Sequence, residues 1–426
     1  MKDPKNFRFT RKHISRRRVL QTTAAAAGGF AVAQLGFPAI VRAASDTIRI
    51  GHITPRSGFL GTLGDYGFRG VNLAVEELNA AGGILGREVD LFTEDSVGSA
   101  VAPTKAQKLI ERRKVHFLVG EISSGSAGGV MATANRLKTL YMQSGANSDA
   151  LRGEKCNPYT FHVEACNTMY TKTIGNWQDR SGNVKGKKFY MLTADYAFGH
   201  DLARVSTRFL TERGGTVMAN ELIATGTPDY SPYILKIRDA KPDFVYINLA
   251  GGDQTTFLKQ YKEFGLTFRV SGGVMDTAGF WGAGLDSITG YWQSLWYHKM
   301  PTESSAVFAK AFRDKYKKPP ENQAWGDYTA VKIMAAAMNE AKSTDPAKII
   351  PLLESGMTFD IMKPRLGSFR KWDHSLLQEM FIVKVKDRDQ MEDKWDIFEI
   401  VEATPGADES LEVIQPTMEE NPCNMG

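Results

Sequence analysis

Apolar and polar positions along the chain switch repeatedly between two periods. Ile48-Arg49-Ile50-Gly51-His52-Ile53 alternates as a strand does, and after the glycine-punctuated stretch 54–64 the residues Phe68, Val71, Val75 and Leu78 recur at helical spacing. Asp65 stands where an N-cap is expected, and Gly82-Gly83 supplies a left-handed stop. The rhythm continues with a strand over 88–94, a helix opened by Pro103 and running to 113, and a strand over 115–120. A helix from about 126 and the short apolar run 140–143 follow. After a pause the rhythm restarts. Strands at 188–193, 216–223 and 244–249 alternate with helices at 199–213, 230–240 and 254–264. Strand followed by helix, again and again, predicts an α/β fold of doubly wound parallel sheets, and two separate runs predict two lobes.

Beyond Gly290 the pattern changes to a strand at 291–296, helices at 304–316 and 325–342, and antiparallel strands at 369–371, 380–386 and 395–400. The tail 404–426 is rich in Pro, Glu and Asp and is expected to pack poorly.

Composition sets the class. Of 426 residues, 42% are hydrophobic and 24% charged, as in a globular protein. The net charge of +5 invites a nucleic-acid reading, but residues 1–43 hold nine Lys/Arg and one acid, a local +8 that leaves −3 for the rest. Without a basic stripe and interleaved aromatics, no nucleic-acid partner is expected. The leader itself has a basic start, the pair Arg16-Arg17, an Ala/Gly-rich run over 22–40 and the small-residue end Val41-Arg42-Ala43-Ala44. These are the parts of a cleaved twin-arginine (Tat) export signal over 1–43, so the mature protein is expected in a bacterial periplasm. The compartment permits disulfides. Cys156, Cys166 and Cys423 cannot all pair within one chain, and the sequence does not choose among them. A bond from Cys156 to Cys423 would anchor the tail.

Candidate chemistry lies at the strand ends, where ligands of open α/β sheets bind. The third strand runs into Glu121-Ile122-Ser123-Ser124-Gly125-Ser126 just before a helix, which offers hydroxyls and free N–H groups to an anion. Plain N-capping by Ser123 or Ser124 is the alternative. The next strand ends in Gln143-Ser144-Gly145-Ala146-Asn147-Ser148. In the second run, Tyr196 and Phe198 either cover a ligand or belong to the core. Asp276 either neutralises an ammonium group or shapes a turn. Enzyme signatures are missing: there is no Gly-x-Ser-x-Gly elbow and no Gly-x-Gly-x-x-Gly after the first strand. The seven histidines lack metal spacing, and no Cys-x-x-Cys occurs. Binding rather than catalysis is expected, with no cofactor and no metal.

The segment IRIGHITPRSGFLGTLGDYGFRGVNLAVEELNAAGGILGREVDLFTEDS resembles the opening of periplasmic ABC-transporter binding proteins of the Leu/Ile/Val type. The likeness continues through FLVGEISSGSAGG, MQSGANSDAL, ADYAFGHDLA, PDFVYINLAGGDQTTFLKQYKEFGL and WGDYTAVKIMAAAM, over about residues 47–345. It implies a clamp with three hinge crossings, one lobe from 47–160 with about 298–356 and the other from 161–297 with about 357–403. It further implies that Ser124 and Ser148 hold a carboxylate while the Ala146 carbonyl faces an ammonium. Tyr196 or Phe198 would cover the ligand, Asp276 is a candidate for the ammonium acid, and Leu63 with Gln323 or Trp325 would wall the side-chain subsite. The implied role is capture of a small carboxylate-bearing solute, an amino acid or an aromatic acid, by a monomer that feeds ABC permease and ATPase subunits. The alternative is a sensor of an amide, urea or amino acid that signals to a membrane receptor. The hairpin beyond 365 departs from the short amino acid binders.

Overall fold

Two parallel sheets organise the chain in the computed structural model, which describes residues 46–425. The leader with Arg16-Arg17 lies outside the described residues. The first sheet takes its elements in the order β1 (Ile48–Thr54), α1 (Gly61–Ala80), β2 (Val89–Asp95), α2 (Ala102–Arg113), β3 (Phe117–Gly120), α3 (Ser124–Arg136), β4 (Leu140–Gln143) and β5 (Thr160–His162). Its spatial order is β2-β1-β3-β4-β5. The second lobe runs α4 (Asn167–Arg180), β6 (Lys188–Ala194), α5 (Ala197–Glu212), β7 (Thr216–Ile223), α6 (Ser231–Ala240), β8 (Phe244–Asn248), α7 (Gly251–Glu263), β9 (Arg269–Ser271) and α8 (Thr277–Ala283). Its sheet is ordered β7-β6-β8-β9, all parallel.

The remainder comprises β10 (Tyr291–Ser294), α9 (Glu303–Tyr316), α10 (Asn322–Ala341), α11 (Pro346–Glu354), β11 (Thr358–Phe359), β12 (Gly367–Phe369), β13 (Leu376–Leu377), β14 (Met380–Val385) and β15 (Phe398–Thr404). β10, β14 and β15 form an antiparallel sheet on the second lobe, where Trp292 meets Phe280 edge to face at 4.7 Å. α9 and α10 return to the first lobe, and Phe312 stacks on Tyr66 of α1. The chain thus passes between lobes after β5, after β10 and after β13.

Several expected boundaries shift, each for a physical reason. α1 starts at Gly61 with no side-chain cap, and Asp65 lies inside it, paired with Arg69. A Cβ on Gly64 would sit 1.6 Å from the Pro55 carbonyl oxygen, so this glycine lets the first helical turn press directly on the loop after β1. α10 starts three residues before Trp325, because the Glu321 carboxylate accepts the N–H groups of Gln323 and Ala324. The pause in the rhythm conceals α4, where Met169, Tyr170 and Ile174 share the buried face with the polar Asn167, Thr168, Thr171, Thr173 and Gln178, which dilute its apolar stripe.

The expected return to the second lobe at about 357 comes later. β11–β13 form a small antiparallel sheet beside β5, with Phe161 stacked on His374 at 3.9 Å and the His162 N–H bonded to the His374 carbonyl. The tail is packed, contrary to the compositional expectation. Ile414 is fully buried, Lys172 reaches both the Gln415 carbonyl and Glu420, and Cys156 is bonded to Cys423. Cys166 is a buried free thiol. Among the described residues, no helix is long and apolar enough to cross a membrane.

Candidate ligand-binding site

The carboxyl ends of the parallel strands in both lobes face one another across a cleft. The first lobe contributes Leu60 and Leu63 at the start of α1, Ile122 after β3, Gly145 and Asn147 after β4, and Glu321, Asn322 and Gln323 at the start of α10. The second lobe contributes Tyr196 and Phe198 after β6, Ala250 after β8, and Val274 and Asp276 after β9. Glu164, in the first crossing, completes the wall. The lobes are drawn together: the Gly252 N–H donates to the Phe59 carbonyl at 2.8 Å, and the Phe59 ring meets Tyr196 edge-on at 5.7 Å. They enclose a cavity of about 20 Å³, room for about one water, so a larger ligand needs the lobes to part.

The expected residues divide. Leu63, Tyr196, Phe198, Asp276 and Gln323 line the cavity, whereas Ser123, Ser124, Ala146, Ser148 and Trp325 do not. Ser123 occupies the N-cap position of α3 without a side-chain cap bond. The Ser124 hydroxyl accepts the Ser148 N–H at 3.2 Å, so these two serines meet each other behind the wall. Ala146 is fully buried in the core beneath α3, and its neighbours Gly145 and Asn147 reach the cavity instead. Trp325 is core: its indole N–H donates to the Ile361 carbonyl at 2.8 Å and the Lys363 ammonium lies over its ring. Asp276 precedes α8 but does not cap it; its carboxylate accepts the Gly251 N–H at 2.7 Å, at the start of α7.

The acidic groups Glu164 and Glu321 and the amides Asn147 and Asn322 were not anticipated. Glu164 falls in the segment without apolar rhythm, and Glu321 carries only the weak signal of a polar residue before a helix. Burial is the first cause of unusual acidity throughout. It raises Asp276 to about 6, Glu164 to about 7 and Glu321 to about 8, with backbone N–H groups working against it for Asp276 and Glu321 and the Tyr170 hydroxyl for Glu164. Behind the wall, burial also raises Glu121 to about 7.

A buried hydrogen-bonded layer fixes the α10 side of the cleft. Asp327 meets His52 Nε2 at 2.9 Å, accepts the Gln323 amide at 3.0 Å and accepts the Ser144 hydroxyl. Gln323 is thereby held against the Ser144 carbonyl as well, which sets the side-chain amide that borders the cavity.

Two sheets with their carboxyl ends facing a shared cleft, joined by three crossings, coincide with a sequence profile: that of the periplasmic binding proteins matches residues 47–390. The chain belongs to the periplasmic binding protein family. The Leu/Ile/Val-binding protein homolog 7 of Brucella abortus (strain 2308) is 27% identical over 350 residues, spanning 78% of this chain and 86% of that protein. A periplasmic binding protein from Burkholderia mallei superposes with a TM-score of 0.82 at 28% identity, over 89% of this chain and 99% of the other. A branched chain amino acid ABC transporter periplasmic ligand-binding protein from Burkholderia xenovorans LB400 gives 0.76 at 26% identity, over 89% and 100%. The family binds solutes and does no chemistry on them, so this binding protein is not an enzyme.

Proposed function

We propose that this binding protein captures a small amino acid or aromatic acid by closing its lobes and delivers it, as a monomer, to the permease and ATPase subunits of an ABC importer. The observation that carries the reading is the cavity walled by both lobes, with aromatic Tyr196 and Phe198 facing Leu60 and Leu63. A solute between these walls adds contacts only in the closed form, and that difference in affinity drives closure. The names of the Brucella and Burkholderia relatives favour an amino acid. The leader supports export by the twin-arginine route to the periplasm, and the lobe boundaries follow the three crossings. Micromolar capture corresponds to about −8 kcal/mol, within reach of a few buried hydrogen bonds and an apolar contact. A melting-temperature screen of amino acids and aromatic acids, with small-angle scattering of each hit, tests the reading. A ligand-dependent rise together with a fall in radius of gyration is expected, and binding without compaction would overturn it.

A further inference from the structure

The side-chain amides of the cavity wall turn their N–H groups toward the protein. Asn147 donates its NH2 to Glu164 and to the Ala165 carbonyl, Asn322 donates its NH2 to Glu164, and Gln323 donates to Ser144 and Asp327. Asn147 and Gln323 have thereby committed both N–H donors to the protein, and Asn322 at least one. Among the buried side-chain atoms of the wall, those left without a partner are two oxygens, both of them acceptors once Glu321 is ionised by a bound cation. Glu321 Oε2 and Asn322 Oδ1 are both buried, with residue exposures of 2% and 8%, and neither has a hydrogen-bond partner. The bond from Asn322 to the Glu164 carboxylate fixes which end of that amide is oxygen. Buried acceptors left unpaired are costly, so an occupant that brings N–H donors is favoured over one that brings only oxygens.

Charge points the same way. Among the described residues, no Lys, Arg or His lines the cavity, while three carboxyls do. Glu164 has Arg152 and Lys363 as electrostatic partners. Asp276 has no such cation, and Glu321 has only Lys318, which also sits 3.5 Å from Asp65. Asp276 belongs to the second lobe and Glu321 to the first, and closure sets them across one small cavity, where Asp276 raises the proton affinity of Glu321. Two carboxyls meeting across a closing cleft repel unless a positive charge or a proton lies between them.

We propose that Glu321 is a second receptor for the ligand's cation, acting with Asp276 from across the cleft, so that the site selects a primary ammonium, amidinium or guanidinium group that donates N–H bonds to both lobes. The inference rests on the reading of the cleft as a solute site and narrows it: a simple aromatic or aliphatic acid is excluded, and a quaternary ammonium, having no N–H, is a poor ligand. Glu321 thereby couples cation recognition to closure, because its oxygen and that of Asp276 are brought together only when the lobes meet.

The test uses two matched sets on the mature protein: L-leucine, isopentylamine and 4-methylpentanoate, and L-phenylalanine, phenethylamine and 3-phenylpropanoate. Calorimetry compares the natural protein with Glu321→Gln, which keeps an oxygen for the Gln323 and Ala324 N–H groups and so preserves the α10 cap. Amine-bearing members of at least one set should bind, the matching acid should not, and Glu321→Gln should weaken the amine-bearing members at least tenfold with an unchanged ligand-free melting profile below pH 5. Binding by the acids alone overturns the inference and leaves solute capture standing. Amine binding that is indifferent to Glu321→Gln likewise overturns it. Binding by none of the six overturns both this inference and the amino acid or aromatic acid reading beneath it.

Discussion

Gly252 donates its backbone N–H to the carbonyl of Phe59 at 2.8 Å, and this bond joins the first turn of α7 in one lobe to the loop before α1 in the other. The contact depends on the preceding residue. Gly251 has φ +54, and a Cβ there would lie 2.3 Å from the Phe59 oxygen, whereas one on Gly252 would stand 3.5 Å away.

Gly251→Ala should therefore hold the lobes apart. A side chain in the left-handed region costs about 1–2 kcal/mol, and the clash with Phe59 falls only on the closed form. Ligand affinity should drop about tenfold or more, equivalent to ~1.4 kcal/mol, with scattering that stays extended at saturating ligand. Gly252→Ala, at ordinary contact distance, is the control and should bind within about twofold of the natural protein. Equal behaviour of the two variants would show that the cross-cleft bond does not gate closure.

Asp327 anchors three side chains at once: His52, Ser144 and Gln323. Removing it by Asp327→Ala strands buried polar groups, and a loss of about 3–5 kcal/mol in chemical denaturation is expected. Ligand affinity should fall as well, because Gln323 loses one of the two acceptors that orient it.

The Cys156–Cys423 bond closes a sequence separation of 267 residues and fastens a tail that touches both lobes. Asn421 donates to the Asp149 carbonyl of the first lobe, while Glu420 pairs with Lys172 of α4 and Arg208 of α5 in the second. Cys423→Ser should lower stability by about 2–5 kcal/mol, read as an earlier denaturation midpoint. It should also raise hydrogen exchange in 411–423 and in the facing turns of α4 and α5. A reductant should reproduce both effects in the natural protein and neither in the variant.

Stability should depend on pH through Glu321. Its folded pKa of about 8 lies above the ordinary carboxyl value, chiefly because of burial, so the native state holds a proton that the unfolded chain has released. That contribution is complete below the unfolded pKa and is lost as pH rises toward 8, at about 1.4 kcal/mol per pH unit. Glu121, Glu164 and Asp276 act in the same sense with lower end points. Buried His162, His298 and Lys363, all depressed by desolvation, act in the opposite sense. The groups coupled electrostatically to Glu321 and Asp276 are Lys318, Tyr66, Tyr170 and Tyr196. The difference between the natural protein and Glu321→Gln isolates the one group: near zero below pH 5, and growing in favour of Gln up to pH 8. A flat difference would show that Glu321 is ionised at neutral pH in the folded protein.

The sequence by itself determined the two-lobed α/β architecture, because parallel strands buried on both faces and helices with one apolar stripe leave periods that survive in one dimension. The strand-end pattern singled out Tyr196, Phe198 and Asp276, and the family resemblance Leu63 and Gln323, all of which line the cavity. Only the tertiary structure decided which polar groups line the cavity. Ser124 and Ser148 carry hydroxyls in the expected loops, but neither lines the cavity, and the Ser124 hydroxyl accepts the Ser148 backbone N–H. Glu164 and Glu321 carry no periodic signal, since a buried carboxyl is placed by partners distant in the chain, Asn147 and Asn322 for the one and the N–H groups of α10 for the other. The tail shows the same limit: Pro, Glu and Asp read as solvated until Lys172, Arg208, Arg370 and Cys156 are brought within reach of it. Local pattern records which surface of an element is apolar, whereas charge pairing is settled by which elements meet.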